Sequence, residues 1–249
     1  MPRFFIEKGS DDYIEITGDD AFHISKSLRM KIGDEITVCD FTNTEFDCLI
    51  QSISDTAVLL RVVSKHASEC EADIKVTVFQ ALPKGDKFET VVQKAVELGA
   101  SEIVPVLTER CVSRPDAKSL AKKCERWQKI SAEAAKQSGR AIIPDVSEGM
   151  DFNSALEYME KHDLSFFCYE KETQLSLRAF LEANKQGFDG KISSVAFLVG
   201  SEGGISDDEA AKLVAHNIPS VSLGKRILRT ETAPLAVLSA LMFFTGNLE

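Results

Sequence analysis

The sequence has little of what a metal site, a membrane span or a disulfide framework requires. Its six cysteines (Cys39, Cys48, Cys70, Cys111, Cys124 and Cys168) include no CxxC pair. Its four histidines are scattered, which argues against a histidine-based metal centre. No apolar run approaches the roughly 18 residues a helix needs to cross a bilayer. The first residues do not follow the charged-then-apolar plan of a secretory leader. The expectation is a cytoplasmic protein with reduced, mostly core thiols, no metal and no membrane partner. Two nucleotide-binding patterns are also missing. Without GxxxxGK[ST] there is no P-loop for a triphosphate, and without GxGxxG after a strand there is no Rossmann dinucleotide site. Positive charge is scarce as well. The 29 Lys and Arg stand against 39 Asp and Glu, for a net charge of −10, which excludes a protein that coats nucleic acid indiscriminately. The deficit is steepest in residues 1–72, where 7 Lys and Arg face 14 Asp and Glu. Any RNA contact must therefore come from local basic patches.

With 249 residues, 44% of them hydrophobic, the chain can fill one large core or two unequal ones, and the change of pattern near residue 73 favours two. Residues 1–72 read as short strands, one helix over Ala21–Met30, and three alternating strands (Glu35–Asp40, Glu45–Ile53, Thr56–Val63), which suits a small β-barrel. Ser64–Asp73 is polar and reads as a linker. Residues 73–249 alternate strand and helix, the mark of a parallel α/β sheet. The strands are expected at Ile74–Ala81, Glu102–Leu107, Leu164–Tyr169, Ser194–Val199 and Pro219–Leu223. A long amphipathic helix spans about 116–138, and an apolar helix, Pro234–Phe244, comes last.

Two glycine-punctuated turns stand out. Val-Ala-Phe-Leu-Val-Gly-Ser-Glu-Gly-Gly-Ile-Ser at 195–206 and Val-Ser-Leu-Gly-Lys-Arg-Ile-Leu-Arg-Thr-Glu-Thr-Ala at 221–233 each join a strand end to a helix start. Placed side by side at the carboxyl edge of a parallel sheet, they form a pocket. A cation among apolar residues, as in Ile227-Leu228-Arg229, is poor loop material unless it meets negative charge. These tracts resemble the signature of the knotted SPOUT methyltransferases, and closely that of the RsmE family, which methylates N3 of a uridine in small-subunit ribosomal RNA. Pro2-Arg3-Phe4-Phe5, His23–Met30, Lys94–Gly99, Glu109-Arg110 and Ala134–Arg140 carry the same resemblance, which covers nearly the whole chain.

The resemblance implies a PUA-like, RNA-binding barrel at 1–72, a SPOUT α/β-knot methyltransferase domain at 73–249, S-adenosylmethionine as cofactor and 16S ribosomal RNA in the small subunit as partner. The cofactor would lie among Tyr169, Leu198, Val199, Gly200, Glu202, Gly203, Gly204, Leu223, Gly224, Ile227, Leu228, Thr232 and Ala233. Its adenine suits the apolar members. Arg229 would act catalytically by stabilising the uracil anion. Glu231 is either a helix cap or a proton acceptor, capping being the usual role for an acid at a helix start. Arg3, Lys26, Arg29, Arg110, Arg114 and Arg140 are candidate RNA contacts. A homodimer would close through the terminal helix, whose Leu235, Leu238, Met242 and Phe243 a monomer should not expose. The competing readings are a ribose 2′-O-methyltransferase of the same superfamily and a non-catalytic ribosome-assembly protein. The Leu228–Ala233 tract favours uridine N3, and Arg229 with unbroken glycine turns favours catalysis.

Overall fold

The computed structural model describes residues 1–248. It divides into two compact units, Met1–Glu71 with Ala135–Ile143, and Ala72–Ala134 with Pro144 onward.

The first unit holds β1 (Arg3–Phe5), β2 (Tyr13–Thr17), α1 (Gly18–Phe22), β3 (Glu35–Cys39), β4 (Thr44–Ile53) and β5 (Ala57–Ala67) in one sheet of order β1-β3-β4-β5-β2. Only β1 and β3 run parallel. Register shifts at Asp47/Cys48 and Ile50/Ser52 bend the long β4–β5 hairpin. Alternation sends Ile14, Ile16, Ile36, Val38, Ile50, Val58 and Leu60 inward, where they pack with Phe4, Ile24 and Phe46. The helix expected over Ala21–Met30 instead starts at Gly18 and widens into a π-helical turn at His23–Ser27, in which the Leu28 N–H donates to His23 O at 2.9 Å. It stops at Arg29, whose φ of 52° is left-handed. The stretch expected as linker begins as strand, since β5 continues to Ala67. Residues 135–143 group with this unit through Arg140, whose side chain is 6% exposed and whose guanidinium lies 2.5 Å from Glu71 Oε2. Glu71 Oε1 accepts from the Ala141 and Ile142 N–H groups at 2.9 and 3.1 Å.

The second unit alternates strands and helices: β6 (Lys75–Ala81), α2 (Lys87–Glu97), β7 (Glu102–Leu107), α3 (Ala117–Ser138, whose last turn from Ala135 belongs to the first unit), β8 (Asp145–Val146), β9 (Met150–Asp151), α4 (Phe152–Met159), β10 (Leu164–Cys168), α5 (Leu177–Ala183), α6 (Lys185–Phe188), β11 (Ser194–Val199), α7 (Asp207–Ala215), β12 (Ser220–Val221) and α8 (Ala233–Phe244). The strands are all parallel, in the order β12-β10-β11-β6-β7-β8, with β9 also on β7. This is the parallel α/β class expected from the sequence. Its strands are near-continuous apolar runs because helices cover both faces; Val76, Val78, Phe79, Val195, Phe197 and Leu198 are all buried. The terminal helix packs largely inside its own chain. Val237, Leu238, Leu241 and Met242 are at most 1% exposed, so of the four residues expected to be exposed Leu238 and Met242 are buried, while Leu235 and Phe243 stay open. The residues left partly or fully open, Leu235, Ala236, Ser239, Ala240, Phe243 and Phe244, form a stripe at helical spacing.

Candidate active site

The carboxyl ends of β10 and β11 and the turn after β12 converge on a cavity of about 500 Å³ in the second unit, within the range of small-molecule sites. β11 ends in Val199, the turn after it supplies Gly200, Glu202, Gly203 and Gly204, and the end of β10 leads into Tyr169. The turn after β12 supplies Leu223, Gly224, Ile227, Leu228 and Arg229, and α8 contributes Ala233. Two expected cofactor residues do not line it. Leu198 packs in the hydrophobic core at 1% exposure, because alternation along β11 turns it to the face opposite Val199. Thr232 lies at the N-terminal boundary of α8, where its N–H closes the preceding turn onto Arg229 O at 2.8 Å. The sequence reading missed Lys87, Cys168, Glu170, Ser201, Ser222, Arg226 and Thr230.

A buried polar hinge fixes the two turns. The Thr230 hydroxyl donates to Gly200 O at 2.7 Å and accepts from Gln80 Nε2 at 2.9 Å. Gln80, at 0% exposure, also donates to Ala81 O, while its Oε1 has no protein partner. A glutamine in the largely apolar run Val76–Ala81 was the available signal for this hinge.

The glycines answer to the protein's own packing. A Cβ on Gly200 would stand 2.8 Å from the Gly204 carbonyl carbon, and one on Gly203 would stand 3.0 Å from Arg110 Cβ. Gly204, at φ +71°, has Glu170 Oε1 2.5 Å from where its Cβ would be. The turn is thus pressed between the Arg110 loop and Glu170. Arg110 Nη1 donates to Gly203 O at 3.1 Å, and the Ser201 hydroxyl donates to Arg110 O at 3.2 Å. The following helix starts in a capping box: Ser206 Oγ accepts from the Glu209 N–H, and Glu209 Oε2 accepts from the Ser206 N–H. The other Glu209 oxygen accepts from the Glu109 N–H at 2.8 Å, tying the same two loops.

Charge is dense on the rim. Glu202 accepts from Lys87 Nζ at 2.7 Å and from the Lys84 N–H at 3.2 Å. Burial pushes its carboxyl up, but the Lys87 ammonium and the backbone donors outweigh this and hold it below the usual range. Tyr169 and Lys171 both donate to Asp207 at 2.5 Å. Burial pushes the Cys168 thiol up to about 12, which keeps it in the neutral form. Arg226 and Arg229 are exposed and have no ion pair among the described residues.

The six cations considered for RNA separate. Lys26 and Arg29 are exposed on the first unit. Arg3 is not free: its Nη1 lies 2.9 Å from Glu45 Oε1 and from Cys39 Sγ, with 12% of its side chain exposed. Arg140 is spent on Glu71. Arg114 donates to Thr108 O and Glu109 O, and Arg110 to Gly203 O, so both hold loops. A basic residue after a strand or helix is as apt to bind free carbonyls as phosphates, and sequence does not separate the two. Among the described residues no group of His, Cys, Asp and Glu could hold a metal, and no helix is long and apolar enough to cross a membrane.

The cavity suits S-adenosylmethionine. Val199, Leu223, Leu228 and Ala233 offer apolar surface to a ring, Glu170 and Glu202 offer carboxylates to cationic groups, and turn backbone lies between them. Comparison with known proteins agrees. Residues 70–242 match the RNA methyltransferase domain family and residues 16–63 the RNA methyltransferase PUA domain family. The chain is 37% identical to the ribosomal RNA small subunit methyltransferase E of Bacillus subtilis, over 98% of this chain and 97% of that one. It is 32% identical to the protein of the same name from Synechocystis, over 91% and 71%. The crystal structure of the Neisseria gonorrhoeae ribosomal RNA small subunit methyltransferase E bound to S-adenosyl methionine superposes with a TM-score of 0.84 at 28% identity, over 98% and 97% of the two chains.

Proposed function

Because the chain belongs to the ribosomal RNA small subunit methyltransferase E family, we propose that it transfers the methyl group of S-adenosylmethionine to N3 of a specific uridine in 16S ribosomal RNA. The observation that carries this reading is Arg229, an unpaired cation on the lip of a cavity that suits the cofactor. When bound, the cofactor supplies an electrophilic methyl group on a sulfonium. N3 must lose its proton to attack, which leaves negative charge on the uracil oxygens, and a fixed guanidinium lowers the free energy of that anion. Thr230, hydrogen-bonded to Gly200 and Gln80, anchors the backbone next to Arg229.

In this reading residues 73–249 bind cofactor and transfer the methyl group, while residues 1–72 hold the RNA through Lys26 and Arg29. The open stripe on α8 closes a homodimer, and the protein works in the cytoplasm, where the small subunit is. Calorimetry with S-adenosylmethionine and single-turnover methylation of 16S RNA test the assignment. Arg229→Ala should lower the saturated rate by roughly 10²–10³, the effect of removing one oxyanion donor, with cofactor affinity nearly unchanged. Arg229→Lys should recover only part, since an ammonium lacks the planar fork. A variant that keeps its saturated rate and loses RNA affinity would make Arg229 a phosphate contact and end the base-activation mechanism.

A further inference from the structure

Lys87, in the first turn of α2, lies between the two glycine turns. Its Nζ is 2.7 Å from Glu202 Oε1 in the turn after β11 and 3.7 Å from Glu231 Oε2 in the turn after β12. Glu202 is held from a second direction by the Lys84 N–H. Glu231 has no such support. Its Oε2 is buried and has no hydrogen-bond donor, so Lys87 is the cation that offsets its charge. A buried carboxylate oxygen without a donor is costly unless a cation stands near. No cap to α8 involves Glu231, since the N-cap position belongs to Thr232.

The geometry points to Lys87 as a positioning residue that draws the Glu231 carboxylate, and with it the Arg229–Thr232 turn, against the cofactor turn at Glu202. This rests on the methyltransferase reading above and adds a part to it. Arg229 is two residues from Glu231, and the Thr232 and Ala233 N–H groups both donate to Arg229 O, at 2.8 and 3.0 Å. Moving Glu231 therefore moves Arg229. Lys87 acts through this turn, so its removal should lower the rate while leaving the fold alone.

The test uses the full-length protein with S-adenosylmethionine and 16S RNA, both saturating. Lys87→Met keeps the stem and removes the charge. It should lower the single-turnover rate about tenfold, a coupling usual for contacting charged groups, with an unchanged melting temperature. Lys87→Arg should restore most of the rate, because a guanidinium can still reach both carboxylates. Glu231→Gln should lower the rate too, and the double variant Lys87→Met/Glu231→Gln should be no slower than Lys87→Met. The inference is overturned by a Lys87→Met rate within twofold of wild type, by a loss confined to cofactor affinity, or by a double variant whose loss is the product of the two single losses. Failure of the wild-type protein to bind cofactor or methylate RNA would instead remove the underlying reading.

Discussion

Arg3 shows how a single residue can be misread from its neighbours in sequence. Beside the aromatic pair Phe4-Phe5 it resembles an RNA contact, yet in the fold it is half of a mostly enclosed pair with Glu45, whose side chain is 9% exposed. Burial pushes the Glu45 carboxyl up, but hydrogen bonds from Arg3 and Ser68 outweigh it and hold it below the usual range. A depressed folded-state value means that the pair's stabilisation is present above about pH 4.3, the ordinary glutamate value. It is lost as the pH falls through the lower folded-state value. Arg3→Ala should therefore destabilise the protein by roughly 1.5–3 kcal/mol at pH 7, the loss of hydrogen bonds to a charged group. Thermal melts should show the gap to wild type shrinking near pH 3. An equal gap at both pH values would show that Arg3 acts through packing alone. Arg229, in contrast, was legible in the sequence because apolar residues and a glycine turn leave it no partner nearby. Lys87 was not, because its significance depends on two glutamates more than 100 residues away along the chain.

Among the elements, those with a strong period were readable and those made by pairing were not. The strands Glu102–Leu107 and Ser194–Val199 fall where the apolar runs placed them. The two-residue strands β8 and β9 are too short to carry any pattern. The helix α4 escaped notice although Asp151 caps it through the Ser154 N–H at 2.8 Å; with eight residues it shows barely two turns of periodicity. The glycine turn was legible in position but not in cause. Glycines in such a turn suggest room for a ligand, whereas a Cβ at Gly203 meets Arg110. Gly203→Val should thus weaken cofactor binding indirectly, by displacing the Arg110 loop from the turn. Arg110→Ala, which removes the opposing side chain beyond Cβ and the 3.1 Å bond to Gly203 O, should loosen the same turn and lower affinity by a smaller factor. Calorimetry on both variants decides this. Full affinity in Gly203→Val would mean that the turn yields without cost to the site.

The whole molecule carries a net charge of −10 and leaves an apolar stripe on its last helix, and the two facts bear on how it associates. Surplus negative charge opposes self-association, so a dimer needs apolar area to offset it. Sequence alone placed only part of that area, naming the open Leu235 and Phe243 together with the buried Leu238 and Met242, because a helix apolar nearly all round gives no direction to its buried side. The packing supplies the direction. Leu241 is at 0% exposure in the single chain, whereas Phe243 is at 73%. Leu241→Asp should therefore unfold the protein by burying an unpaired carboxylate, and it says nothing about assembly. Phe243→Asp should leave the melting transition of the monomer cooperative and place a carboxylate in the middle of the open stripe. In sedimentation at micromolar concentration the wild type should run as a dimer and Phe243→Asp as a monomer, and added salt should tighten the wild-type dimer by screening its net charge. A Phe243→Asp protein that still sediments as a dimer would place the contact on another surface and leave the stripe on α8 without a partner.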